Sequence, residues 1–345
     1  MALNAFRAVL ERLATRQLLG YSEKQEREAI LAGARLRAAE LGAEPLDVLQ
    51  VNPEKTRCVL LCNHPRHGRC VLKVVSGQAP GGLAMAHVES LRRAHATGAA
   101  FLPALYELGT SYSLEQFVSG TTLHQLPRED WRDTDLVAFL ATLRDFGVND
   151  VPPEPIRSDE CVLITFRFVR KVLRAADYAV RNVRPWHVSA FAFPTEKRRC
   201  LDRLLQEAAR ASLPRSLVFF DLTPANTIRE ASTGQLFVVD IEHMKEGFSG
   251  FDALWLLAML TRSNACPVEV IEATYARVCS DAFTGASGGE PLMRAMFAFL
   301  LEVLGGYVGR SKGHRAIRHL QRRVEAAPLP MPESRSRGSI PAQPR

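Results

Sequence analysis

Asp221 and Asn226 stand five positions apart, and Asp240 and Glu242 follow at the end of an apolar run, within SLVFFDLTPANTIREASTGQLFVVDIEHMKEGFSGFD (216–252). Side chains alternate along a strand, so Asp240 and Glu242 share one face while Val239 and Ile241 take the other. Two neighbouring carboxylates repel unless a cation relieves them, and Mg2+ favours such oxygen ligands. The same two acids also suit the polar side of an amphipathic strand. Asp221, in Asp-Leu-Thr-Pro, equally suits a turn or a helix start.

A second chemical feature lies upstream. Lys73, in Cys70-Val71-Leu72-Lys73-Val74-Val75, shares a strand face with two valines. An ammonium there needs a route to water or a charged partner. Glu89, sixteen positions further on in LAMAHVESLRRAHA, supplies a carboxylate if that helix packs on the sheet. The expectation is a Lys73–Glu89 ion pair across the joint. Cys58, Cys62, His64, His67 and Cys70 also fall within thirteen residues. Their spacing matches no CxxC zinc pairing, and buried cysteines on two strands joined by a His64–Gly68 turn are the preferred reading.

Positioning these groups requires particular elements. Residues 1–44 are rich in Ala, Leu, Glu and Arg and read as a helical extension. From residue 45 to 120, short apolar runs at Val48–Val51, Cys58–Cys62, Cys70–Val75, Ala104–Leu108 and Tyr112–Phe117 read as strands, with a helix over 83–97. Residues 121–326 read as mainly helical, with helices near 133–146, 160–182, 195–211, 252–262, 267–282, 290–308 and 312–326. Among them sits one strand pair, Ser216–Phe220 with Gln235–Ile241. The tail 327–345, rich in Pro, Ser and Arg, reads as disordered.

Composition excludes little. The net charge of +7 suits an anionic ligand or an acidic surface. No basic-and-aromatic stripe points to nucleic acid. Charges interrupt the N-terminal helix, so it does not read as a secretory signal, and no apolar run reaches the roughly 20 residues of a membrane helix. The chain reads as cytoplasmic. Arg310–Arg323 leaves peripheral contact with an anionic membrane open, although the solvated face of a helix is the plainer account. Oligomeric state leaves no trace in the sequence.

The ordered set Lys73, Glu89, Asp221, Asn226 and Asp240 resembles the catalytic core of kinase-like phosphotransferases, in which Asp-x-x-x-x-Asn, a hairpin and an apolar strand ending in Asp follow one another. The variety it most resembles is the aminoglycoside phosphotransferase and choline kinase family, whose HGDxxxxN…IDWE pattern is met by Phe219-Phe220-Asp221…Asn226 and Val239-Asp240-Ile241-Glu242. The likeness covers roughly residues 46–310 and implies an α+β, two-lobed protein kinase-like fold: a small antiparallel-sheet lobe (45–120) and a larger, mainly helical lobe (121–326). It implies an ATP- and Mg2+-dependent kinase acting on a hydroxyl of a small polar molecule. Lys73 would hold the α- and β-phosphates and Glu89 would hold Lys73. Backbone groups of Glu115 and Phe117 would bind adenine, Asp221 would orient or deprotonate the acceptor, and Asn226 and Asp240 would ligate Mg2+. Asp252 would brace the catalytic loop or cap the helix it precedes.

The loop Asn52–Arg57 departs from the family in having no glycine, and Phe219-Phe220 stand where His-Gly is usual. Only eleven residues separate Asp240 from Asp252, too few for a peptide-binding segment. The alternatives are a kinase for a lipopolysaccharide-core or lipid-linked sugar at a membrane surface, and a pseudokinase that binds nucleotide as a scaffold.

Overall fold

A computed structural model of the chain describes residues 23–53, 56–75, 83–147, 154–155, 195–208, 210, 212–219, 222–241, 244–280, 289–305 and 319–320. Residues 1–22 of the expected helical extension, Asp221, Phe220, Glu242, the helix expected over 160–182, most of that over 312–326, most of the basic segment 310–323 and the tail lie outside them. The chain divides into two compact units, residues 1–125 with 219–245, and residues 126–218 with 246–345.

The first unit is built on a five-stranded antiparallel sheet in the order β1-β2-β3-β5-β4. Its strands are β1 (Glu44–Asn52), β2 (Arg57–His64), β3 (Gly68–Val75), β4 (Leu105–Leu108) and β5 (Tyr112–Gln116). Helix α1 (Glu23–Glu40) covers one face. There Ala34 and Ala38 meet Cys58, Leu60 and Cys62 of β2, Cys70 and Leu72 of β3 and Leu114 of β5, all fully buried. Period-two alternation then assigns Arg57, Val59 and Leu61, Val71, Lys73 and Val75, and Ser113 and Glu115 to the opposite face.

Helix α2 (Leu83–Ala96) packs against β5. It turns inward Val88, Leu91 and Ala94, at the i, i+3, i+6 spacing of one helix face.

Three further strands complete the unit. β10 (Thr227–Glu230) lies between β11 (Leu236–Val238) and β6 (Gly120–Thr122), all antiparallel. The Val238 N–H donates to the carbonyl of Phe101 at 2.9 Å. These bonds tie residues 219–245 to the first unit, whereas the sequence reading assigned them to the second lobe. Among the described residues the expected pairing of Ser216–Phe220 with Gln235–Ile241 does not form. β9 (Arg215–Val218) pairs with β12 (Lys245–Phe248), and β11 pairs with β10. Hydrophobic runs identify strands; hydrogen-bond partners depend on where the chain returns.

The second unit holds α3 (Asp133–Arg144), α4 (Thr195–Ala208), α5 (Phe251–Ser263), α6 (Val268–Val278) and α7 (Gly289–Gly305), with a two-residue strand pair, β7 (Glu154–Pro155) and β8 (Ser212–Leu213). α5 is buried almost all round, from Phe251 to Ala258, and is the hub on which α3, α6 and α7 pack. Among the described residues no helix is long and apolar enough to cross a membrane.

Candidate active site

Lys73 is 4% exposed. Its Nζ donates to Oε2 of Glu115 at 2.7 Å, and Ser113 Oγ donates to Oε1 of the same carboxylate at 2.6 Å. The sheet register explains the contact. Lys73 sits opposite Ser113 and Val71 opposite Glu115, so Lys73 and Glu115 are diagonal neighbours on one face, within reach of a long side chain.

The expected Lys73–Glu89 pair is absent. Glu89 is exposed and pairs with Arg92 one turn along its own helix. Helix geometry gives the reason: Glu89 lies about 200° around the axis from buried Leu91, at 100° per residue. Glu115 therefore contributes its side chain as the buried counter-ion. Its backbone lies between β3 and β4, opposite Val71 and Leu105, in the interior of the sheet rather than at a free edge. Phe117, the other residue expected to present backbone to adenine, follows the end of β5, and the Arg69 guanidinium lies over its ring at 4.9 Å.

His95, one helical turn beyond Leu91, feels the same pair. Burial holds its imidazole below the ordinary range, with Glu115 opposing that shift and Lys73 adding to it. A depressed histidine contributes stability that is fully present above its unfolded value of about 6.5 and is lost as pH falls below it. The urea midpoint should therefore fall on acidification from roughly pH 7.5 to 5.5, and fall less in His95→Asn. Parallel pH profiles for the two proteins would show that His95 is not the source.

Asn226 ends a single 3-10 turn, Pro224–Asn226, and its carbonyl accepts the Val239 N–H at 2.8 Å. That bond sets Asn226 beside the end of the β11 segment. Phe219, Leu222, Asn226, Val238, Val239, Asp240 and Ile241 line one small cleft. Asp240 has φ +65°, a left-handed conformation that costs a non-glycine residue energy and that clusters at functional sites.

The Asp240 carboxylate is held by a residue the sequence reading did not single out. Arg57 Nη1 donates to Oδ1 at 2.7 Å and Nη2 donates to Oδ2 at 3.3 Å, a two-pronged clasp. Nη2 also donates to Gln50 Oε1 at 2.6 Å. Arg57 is 4% exposed, and its alternation with Cys58, Leu60 and Cys62 was the available signal: the cation falls on the sheet face that carries Lys73.

The structure brings Asn226 and Asp240 into one cleft and places Lys73 on the sheet of the same unit. It does not bring Glu89 to Lys73, and Asp221 lies outside the described residues. Two amide and carboxylate oxygen donors in one cleft suit Mg2+ by their hardness. Among the described residues no group of three or more His, Cys, Asp or Glu could hold a metal. Cys58, Cys62 and Cys70 are buried beneath α1, and burial pushes the Cys62 thiol up to about 12, the reverse of what a zinc thiolate needs. His64 and His67 stack on each other, and His67 on Tyr106.

Asp252 does not cap its helix. Gly250, at φ +94°, takes the N-cap of α5, and Asp252 lies buried in the first turn, where a carboxylate meets the positive end of the helix dipole.

No family model matches the chain, and no curated protein matches it in sequence. Solved structures do match. An amicoumacin kinase, solved with AMP-PNP and calcium, is 11% identical over 91% of this chain and 95% of its own, with a TM-score of 0.51. A macrolide 2'-phosphotransferase from Brachybacterium faecium is 16% identical over 86% of this chain and 99% of its own, with a TM-score of 0.47. The choline kinase from Streptococcus pneumoniae is 14% identical over 84% and 96%, with a TM-score of 0.45. At such identities the likeness is one of architecture, and it rests on the first of these: the chain has an α+β, two-lobed kinase-like fold, as that kinase does.

Proposed function

We propose that the chain is an ATP- and Mg2+-dependent phosphotransferase that phosphorylates a hydroxyl of a small polar molecule, a sugar, amino-sugar or related metabolite. The observation that carries this reading is the buried Lys73–Glu115 pair, on the sheet of the same unit in which Asn226 and strained Asp240 line one cleft. Burying an ammonium with its counter-ion adds little or nothing to stability, so the pair is better explained by an anionic ligand for the ammonium. Nucleotide phosphates are such a ligand.

In this reading Lys73 binds the α- and β-phosphates, with Glu115 setting the direction of its ammonium. Phe117 offers backbone to adenine, and Asn226 and Asp240 hold the metal, which neutralises charge on the phosphates. Asp221 orients the acceptor hydroxyl and takes its proton as the oxygen–phosphorus bond forms and the bond to the departing diphosphate oxygen breaks. The protein's work is thus positioning and charge neutralisation. The short path from Asp240 to Asp252 supports a small acceptor over a peptide.

Calorimetry with ATP and GTP, with and without Mg2+, tests the reading. The parent should bind one nucleotide more tightly with Mg2+, and Asn226→Ala should lose most of that gain while metal-free binding is unchanged. Absence of binding to either nucleotide would overturn it. A second reading, a nucleotide-binding scaffold without turnover, is favoured by the Arg57 clasp on Asp240 and by the glycine-free loop. Binding without phosphorylation of any hydroxyl acceptor would select it.

A further inference from the structure

Arg57 holds both carboxylate oxygens of Asp240, the residue expected to ligate the metal. It is a planar donor pair on a carboxylate, 4% exposed itself, while the Asp240 side chain is 28% exposed. Gln50 on the neighbouring strand accepts a further bond from Nη2, one of the two nitrogens that hold Asp240. Arg57 begins β2, directly after a turn that the family resemblance would fill with glycines and that here places Thr56 at φ +48°. The segment that would cover phosphates therefore ends in a fixed positive charge directed at the expected metal ligand.

A guanidinium that holds both oxygens of a carboxylate weakens it as a ligand for a dication, because the two like charges repel in a partly desolvated cleft and the lone pairs are already engaged. We propose that Arg57 competes with the divalent metal for Asp240 and thereby makes the site selective for metal that arrives together with a polyphosphate. Metal alone meets a carboxylate already neutralised. Metal bound to a nucleotide brings phosphate oxygens, which receive the displaced guanidinium in the bidentate manner to which arginine is suited. Apparent affinity for metal alone is reduced by the fraction of molecules in which the clasp is open. The inference rests on the assignment of Asp240 as a metal ligand and deepens it by naming the species the site accepts.

The test is Mn2+ binding to nucleotide-free protein, followed by the loss of the free-ion electron paramagnetic resonance signal, in the parent, Arg57→Gln, Arg57→Lys and Arg57→Gln/Asp240→Asn. Arg57→Gln should bind Mn2+ at least tenfold more tightly than the parent, and the double variant should lose that gain. Arg57→Lys, which keeps one charge but not the two-pronged geometry, should move about threefold in the same direction. It carries the test if Arg57→Gln does not fold, as judged by circular dichroism.

Parent-like affinity in a folded Arg57→Gln would overturn the proposal, as would a gain that survives Asp240→Asn. Nucleotide titrations on the same proteins separate the two readings. If the parent binds Mg2+ with ATP but Arg57→Gln gains no Mn2+ affinity, the competition is wrong and the phosphotransferase reading stands. If Arg57→Gln gains Mn2+ affinity through Asp240 while neither protein binds nucleotide, the competition for Asp240 stands, but the selectivity for metal carried by a polyphosphate is overturned and the phosphotransferase reading falls with it.

Discussion

Replacing Glu115 by alanine is expected to destabilise the first unit by about 3–5 kcal/mol, the usual cost of removing one member of a buried ion pair. The side chains of Lys73 and Glu115 are 5% and 6% exposed, so water cannot replace the lost carboxylate. Ser113 loses its acceptor in the same step. Most of the loss is the penalty of a stranded ammonium, not the worth of the contact itself.

It follows that Lys73→Met/Glu115→Leu should recover most of the stability lost by Glu115→Ala, because both charges then leave together. Urea unfolding, with hydrogen exchange of the β3 and β5 amides to localise the effect, measures both. Glu89→Ala is the contrast. Its carboxylate is exposed and, among the described residues, pairs along its own helix with Arg92, so the change should stay within about 0.5 kcal/mol. A loss at Glu89 matching that at Glu115 would mean that the Lys73 partner has been misassigned.

Replacing Asp221 by alanine should lower turnover roughly 10²–10⁴-fold, the range for a positioned acid–base group, while nucleotide affinity changes little. The expectation follows from the role proposed for Asp221, to receive the acceptor proton and not to hold phosphate. Steady-state kinetics alongside nucleotide binding by calorimetry separates the two effects. Turnover within a factor of about three of the parent would remove Asp221 from the mechanism, being far below the worth of such a group. Lost nucleotide binding with an intact fold would place it among the phosphate or metal ligands instead.

The contrast between Glu89 and Glu115 shows where sequence reading stops. Lys73 was recognisable because an ammonium among valines is costly, and any such residue calls for a partner. Choosing between two carboxylates required the rotation of α2 about its axis, which Val88, Leu91 and Ala94 decide by packing. Arg57 was overlooked for a related reason: its partner is 183 residues away, and no local pattern couples them.

The sequence by itself determined the strands of the five-stranded sheet, helices α2, α3, α5, α6 and α7 to within a few residues at most ends, and the order Lys73, Asn226, Asp240 along the chain. Those features are local, set by the periods of strand and helix and by turn residues within a few positions. Only the tertiary structure decided that β10 and β11 join β6 in the first unit, that Glu115 and not Glu89 faces Lys73, and that Arg57 clasps Asp240. Each is a pairing between distant segments. Such pairings follow from the register of sheets and the packing of helix faces, where a side chain's partner depends on how the whole unit closes and not on its neighbours in sequence.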